Sequence, residues 1–392
     1  MRLAFSTEDF VYAGRPRPGF PLILGDDMRP AQPFHLHLRW LLLDRGKALD
    51  LKTWENYGRY LWDFVSFLYA NKLSWNQPFR AEGESVVHIY RDWQAEDLKL
   101  DPGTINHRLR IATGFYRWAL ERGMVDRLPF TFSDTTAHGI EHDLAYLTGC
   151  TQTIAKPNVM LDEWDKEPVF LTAEQVKLAR SDVRSTSQRL LFDIMVRVGL
   201  RSVEARTFPL SYVFNPAARP YLKPGTLIEV RLDPRDMDIK FNKPRYVHVP
   251  YSLMEDMYAY AQFERNRYIV PGAAPRTLLL TINGNTYQKG SAHKVMKDLG
   301  RKVGFSIRPL MLRHSYAIHT LLLLRANPSI KLEPLMYVRD RLGHKSVQTT
   351  MVYLDQIERL VGAEALSMME EFDRLYDVTP ALFAHSRSTS SK

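Results

Sequence analysis

Three residues in the last quarter of this chain carry more chemistry than packing requires. Arg313 sits in Leu312-Arg313-His314-Ser315-Tyr316, His344 in Leu342-Gly343-His344, and Tyr353 follows nine residues after His344 in Thr349-Thr350-Met351-Val352-Tyr353. An arginine presents a planar fork of donors suited to phosphate oxygens. A histidine donates to an oxyanion or moves a proton. A tyrosine hydroxyl is a poor nucleophile at neutral pH until nearby positive charge favours its phenolate. Together the three can bind a phosphate and attack it, which neither a core nor a surface needs.

The stretch from Pro309 to Tyr353 resembles the catalytic signature of the tyrosine recombinases, the phage-integrase family. That signature places Leu-Arg-His-Ser/Thr-aromatic-Ala around one arginine, Leu-Gly-His around a histidine, and the nucleophilic tyrosine nine residues on. Arg313, His344 and Tyr353 match it residue by residue. The hexapeptide Gly199-Leu200-Arg201-Ser202-Val203-Glu204 is similar to the family's first arginine box, and Lys240, five residues before Arg245, fits the spacing of its catalytic lysine. Lys243 is the alternative lysine. Where the family usually has His three residues before the second arginine, this chain has Leu310.

The resemblance implies a site-specific recombinase or integrase of a mobile element, cutting and rejoining DNA through a 3′-phosphotyrosine. Tyr353 would attack, Arg201 and Arg313 would offset the charge of the phosphorane, Lys240 would protonate the leaving 5′-oxygen, and His344 would bind the phosphate or help take the tyrosine's proton. Leu310 cannot donate to phosphate, so the alternative is a catalytically impaired DNA-binding protein on the same fold. A topoisomerase-like relaxing activity shares the chemistry. Arg308 is the expected substitute for the missing donor, because His314 is expected to face away from Leu310.

The elements that must position these groups are mostly helical. Residues 1–33, rich in Pro and Gly, read as an extended N-terminal arm. From Leu51 the residues Tyr57, Tyr60, Leu61, Phe64, Phe67 and Leu68 recur at helical spacing behind Thr53 as a cap, and Ile105, Leu109, Ala112, Phe115, Tyr116 and Ala119 do so before Gly123. Lys52, Arg59, Asn106, Arg108, Arg110 and Arg117 interleave with these stripes, which predicts a small helical bundle with a basic surface for phosphate contacts, and residues 34–130 are similar to the recombinases' helical core-binding domain. Residues 131–167 lack period and read as a linker, its His138 and His142 as loop histidines rather than metal ligands.

A catalytic domain follows over 168–380. Thr172 with Gln175 predicts a capping box; a helix runs from Gln188 to Val198; and Thr226–Leu232 with Tyr246–Pro250 predicts a β-hairpin. Ser211–Gly225 reads as a surface insertion, and Asp233, Asp236 and Asp238 as turn carboxylates. Beyond Tyr353, Ile357 to Leu375 keep a helical period, assigned by resemblance to exchange between protomers, and 381–392 read as a disordered tail. The expected fold class is mainly α with a small antiparallel β-sheet, an α+β arrangement of tyrosine-recombinase type.

Net charge of +9 over 392 residues favours a polyanionic partner, double-stranded DNA before a membrane surface, and Lys243, Arg245 and Arg308 join Lys52, Arg59, Arg108 and Arg110 as candidate DNA contacts. By the same resemblance, the helix after Tyr353 implies a dimer or tetramer on DNA. One cysteine, Cys150, permits no intrachain disulfide, and neither a signal peptide nor a spanning apolar run is visible, so a cytoplasmic protein is expected. No phosphate-cradling Gly-Lys-Ser/Thr loop and no cysteine-histidine cluster occurs, so no cofactor or metal is expected.

Overall fold

The Pro- and Gly-rich N-terminus pairs with itself. In the computed structural model β1 (Arg2–Phe5) runs antiparallel to β4 (Pro21–Leu24), and between them β2 (Val11–Tyr12) pairs β3 (Arg15–Pro16). Phe20 and Ile23 are fully buried with the helices that follow, and Phe20 meets Trp54 edge-on at 6.2 Å. The extended arm expected from composition is therefore part of the first core. Strands this short carry no period of their own, and their pairing joins residues about twenty apart.

The structure describes residues 1–46, 50–79, 84–136, 153–163, 167–272, 274–327, 331–344 and 346–367, in two units, Met1–Asp165 and Lys166–Lys392. In the first, α1 (Phe34–Arg39), α2 (Leu51–Ala70), α3 (Val86–Glu96) and α4 (Pro102–Glu121) bury the two predicted stripes. The cap of α2 is Asp50, whose carboxylate accepts the Lys52 N–H, rather than Thr53. Burying each large apolar side chain of the stripes is worth roughly 1.5–3 kcal/mol.

The segment expected as a linker is attached to this unit where it is described. Strand β5 (Phe132–Thr136) pairs antiparallel with β6 (Thr153–Pro157), and Val159 is buried in the same core. Asn106 fixes the exit: its Nδ2 donates to the Leu161 carbonyl at 2.8 Å and its Oδ1 accepts the Leu161 N–H at 2.9 Å. Asn106 is thus internal, not part of a DNA-facing surface. His138, His142 and Cys150 lie outside the described residues.

In the second unit the capping box forms as predicted, Thr172 and Gln175 exchanging bonds at the start of α5 (Ala173–Asp182). Then come α6 (Thr186–Arg197), α7 (Ser202–Arg206) and a two-stranded antiparallel sheet of β7 (Leu227–Leu232) and β8 (Arg245–Pro250), in register from Leu227 opposite Pro250 to Leu232 opposite Arg245. Ile228, Val230 and Leu232 alternate inward, as period two requires. The stretch read as a surface insertion folds into short 3-10 turns at Leu210–Tyr212 and Pro216–Ala218, with Phe214 and Leu222 packed against the core.

Four helices complete the unit after α8 (Tyr251–Ala259): α9 (Ser291–Val303), α10 (Pro309–Arg325), α11 (Pro334–Leu342) and α12 (Gln348–Ser367). Helix α10 is buried on more than one face. Met311 and Leu312 join the main core, while Tyr316, Ile318 and Leu321 join a second cluster with Val338, Leu342, Tyr353 and Ile357. That helix therefore sits between α6 on one side and α11 with α12 on the other. The fold is mainly helical with small antiparallel sheets. Among the described residues no helix is long and apolar enough to cross a membrane. The residues assigned to the exchange helix beyond Ser367, and the tail, lie outside the described residues.

Candidate active site

Two glycines set the frame. Helix α6 ends at Gly199, whose φ of +74° is left-handed, and a Cβ there would stand 2.4 Å from the Tyr316 ring. Helix α11 ends the same way at Gly343, φ +66°, where a Cβ would stand 2.8 Å from Cδ of Arg245. With both chains turned so tightly, their last carbonyls point at one side chain. Arg313, only 3 % exposed on α10, donates Nη1 to the Gly199 carbonyl at 2.6 Å and Nη2 to the Leu342 carbonyl. Carbonyls at two helix ends favour a cation there. The remaining N–H groups of the guanidinium are left for an anion.

Arg201 stands at the start of α7. Its backbone N–H donates to Glu204 Oε2 at 2.8 Å and its Nη1 to Oε1 at 3.2 Å. Glu204 is wholly buried, and Arg245 at the head of β8 grips it with two parallel bonds of 2.8 and 2.7 Å. Burial pushes the Glu204 carboxyl upward, but the bonds from Arg245 outweigh it and bring it to about 2. The Arg245 fork also reaches the Arg341 carbonyl at 3.1 Å, tying the sheet to the end of α11.

Tyr353 is buried on α12, its hydroxyl 2.8 Å from Nδ1 of His314. The His344 ring stacks on it at 6.3 Å and 22°, and Thr350 Oγ1 lies 2.9 Å from Nδ1 of His344. Burial raises the phenol above its ordinary value, while Arg313 and Arg201 pull the other way. Burial, then Arg313, holds His344 down to about 3 and His314 to about 4. Both imidazoles are therefore neutral at pH 7. Arg313 itself is brought down to about 9 by burial and then by Arg201, a mutual repulsion that an anion between the two guanidiniums would relieve.

These groups open onto one cavity of about 920 Å³ lined by Arg201, Lys240, Arg313, His344 and Tyr353, five of the five residues expected to share a site. Lys240 lies on the turn between β7 and β8, followed by Phe241 and Asn242 at φ 70° and 49°; its ammonium is 5.0 Å from the centre of the Phe241 ring. Lys243 is exposed and outside the lining. Arg308 and Leu310 line the cavity too, Leu310 with 60 % of its surface exposed.

One expectation about this helix is corrected. His314 does not face away from Leu310: residues four apart on a helix share a face, and both line the cavity. The sequence signal that locates His314 is that spacing. Other expected DNA contacts are bound internally. Arg108 donates to Asp63 at 2.7 Å, which also takes the Tyr90 hydroxyl, so its charge is spent inside the bundle. Arg245 is committed to Glu204 as described, so neither is free for phosphate. Lys52 and Arg59 flank Glu55 at 2.8 and 3.0 Å, and Arg110 meets Glu163 at 3.0 Å, all three cations at the surface. Asp233 and Asp238 pair with Arg235 and Arg206, and Asp236 accepts from Tyr212, which accounts for the turn carboxylates. Among the described residues no group of three ligand side chains is placed to hold a metal.

Residues 170–359 match the model of the phage integrase family. The chain is 24 % identical over 186 residues to tyrosine recombinase XerA of Pyrococcus horikoshii, covering 47 % of this chain and 56 % of that one. It is 30 % identical over 116 residues to tyrosine recombinase XerD of Mycobacterium tuberculosis, covering 29 % of this chain and 35 % of the relative. The matched stretches thus span about half, or a third, of these curated relatives. A solved structure of XerH site-specific recombinase bound to palindromic difH substrate aligns with a TM-score of 0.55 at 17 % identity, covering 88 % of this chain and 92 % of that one. The Tn1549 transposon integrase in complex with transposon right end DNA aligns with a TM-score of 0.55 at 15 % identity, covering 84 % and 99 %. These two likenesses are of fold.

Proposed function

We propose, from the match of residues 170–359 to the phage integrase family, that the chain belongs to that family and is a site-specific DNA recombinase or integrase of a mobile element. The observation that carries this is the convergence of Arg201, Lys240, Arg313, His344 and Tyr353, from separate elements, on one cavity. In this reading a scissile phosphate of double-stranded DNA sits between the two guanidiniums, which take its nonbridging oxygens and offset the extra charge of the pentacoordinate state. Tyr353 attacks phosphorus. Lys240, exposed on its turn, gives a proton to the departing 5′-oxygen. In the same reading His344, stacked on the tyrosine ring, donates to the phosphate. The 3′-phosphotyrosine conserves the bond energy, so a second strand's 5′-hydroxyl can reverse the step without ATP or metal.

The same reading makes the working form a dimer or tetramer of this chain on DNA, with cytoplasmic DNA as its substrate. The test starts from duplexes selected by the full chain from a random pool. Two copies of the selected site on one plasmid are expected to yield deletion or inversion products in the presence of EDTA and without nucleotide. A requirement for divalent metal or ATP would count against it. Leu310, exposed in the cavity and unable to donate, favours a second reading in which the chain holds its sites without cutting them. In that case tight site-specific binding persists and recombinants never form.

A further inference from the structure

A buried phenol needs somewhere to put its proton before it can attack, and two imidazoles face Tyr353. His344 lies flat against the ring and its Nδ1 is engaged with Thr350. His314 meets the oxygen itself at 2.8 Å. It stands one helical turn after Leu310, on the same face of α10, so an acceptor at 314 reaches the cavity that residue 310 borders. Resting on the recombinase reading, we propose that His314 is a catalytic residue, the base that takes the Tyr353 proton in a site where position 310 supplies no polar group.

The step balances within the residues already placed. The Tyr353 O–H bond breaks as its oxygen bonds to phosphorus, and the proton passes to His314 Nδ1. The bond from phosphorus to the 5′-oxygen breaks, and that oxygen leaves as a hydroxyl with a proton from Lys240. Rejoining reverses each transfer, His314 returning its proton to the phenol. The imidazole is neutral before DNA arrives, since burial and Arg313 keep it near 4, so Nδ1 can accept. A phosphodiester anion between Arg201 and Arg313 would offset the charge that depresses it and strengthen it as a base. The ionisable groups around it are Arg313 on its own helix and, lining the same cavity, Arg201, Lys240, Arg308, His344, Tyr353 and Glu167.

The experiment is single-turnover cleavage of a nicked, selected duplex by the full chain, followed from about pH 6 to about pH 9, across the range where a free phenol becomes a competent nucleophile. Gln at 314 keeps an oxygen that can accept from Tyr353 but cannot take its proton. His314→Gln is expected to cut about 10²-fold slower, to hold DNA as tightly as before, and to gain rate steadily with pH where the unsubstituted chain does not. Leu310→His in the His314→Gln background is expected to recover most of the rate. Leu310→His alone is expected to raise the rate by a smaller factor than it does in the His314→Gln background, because an acceptor for the Tyr353 proton is already present. Three results would overturn the inference alone: unchanged rate and pH profile in His314→Gln, a slow variant whose pH profile is unchanged and which Leu310→His does not recover, or an acceleration by Leu310→His as large in the unsubstituted chain as in the His314→Gln background. Absence of any DNA linked to Tyr353 in the unsubstituted chain would instead remove the recombinase reading, and this inference with it.

Discussion

Glu204 shows how much of the site rests on a residue that touches no substrate. Its carboxylate is buried between Arg201 and Arg245, and neutralising it as Glu204→Gln leaves two guanidiniums facing one another without their counter-charge. Breaking one partner of such a buried pair costs about 3–5 kcal/mol, so urea melts of the variant should show a loss of that order. The same group makes stability depend on acid. Its folded value, about 2, lies below the ordinary 4.5, so the folded state holds the carboxylate more tightly than the unfolded chain does. The resulting stability, on the order of 3 kcal/mol, is present above about pH 4.5 and is lost as pH falls toward 2. Glu204→Gln should flatten that part of the pH profile. At this scale the arginines, the histidine and the tyrosine of the site were legible because each lies in a short local motif. Arg245 was read as a DNA contact because its partner, 41 residues away, is visible only in three dimensions.

Elements position these groups through their ends. Gly199 and Gly343 close α6 and α11 in left-handed turns so that both carbonyl ends converge on Arg313. An alanine at either must bear the left-handed strain of about 1–2 kcal/mol, and at Gly199 its Cβ also meets a buried tyrosine ring at 2.4 Å. Gly199→Ala is therefore expected to lower the melting temperature more than Gly343→Ala, whose clash is with the flexible stem of Arg245. Equal effects would mean that the ring is free to move aside. Helix periods, the Thr172–Gln175 box and the β7–β8 hairpin were legible because period and caps are local signals. The N-terminal ladders were not, since four-residue strands split by turns have no period and their partners are distant in sequence. His314 was misplaced for a simpler reason: the four-residue repeat of a helix, applied correctly, puts it beside Leu310.

For the whole molecule, the sequence's net charge of +9 points to a polyanion, but internal pairing decides which cations contribute. Replacing exposed Lys243 with alanine is expected to reduce the slope of log affinity against log salt by about 1. Arg108→Met should leave that slope unchanged and lower stability instead, because its charge is held by Asp63. The chain divides near residue 165 into two units, the second carrying the cavity, and the stretch expected to be a linker is tied to the first by Asn106. Nothing in the spacing of 131–167 announces that tie, which depends on one buried amide.

All of these arguments converge on the phenol oxygen of residue 353. The direct measurement is to trap the full chain on a nicked, selected duplex, digest the DNA and the protein, and identify by mass spectrometry the peptide that carries a nucleotide. The expected result is a 3′-phosphonucleotide on Tyr353, absent from Tyr353→Phe and formed in EDTA. DNA bound tightly with no covalent nucleotide, or a nucleotide on any other side chain, would contradict it.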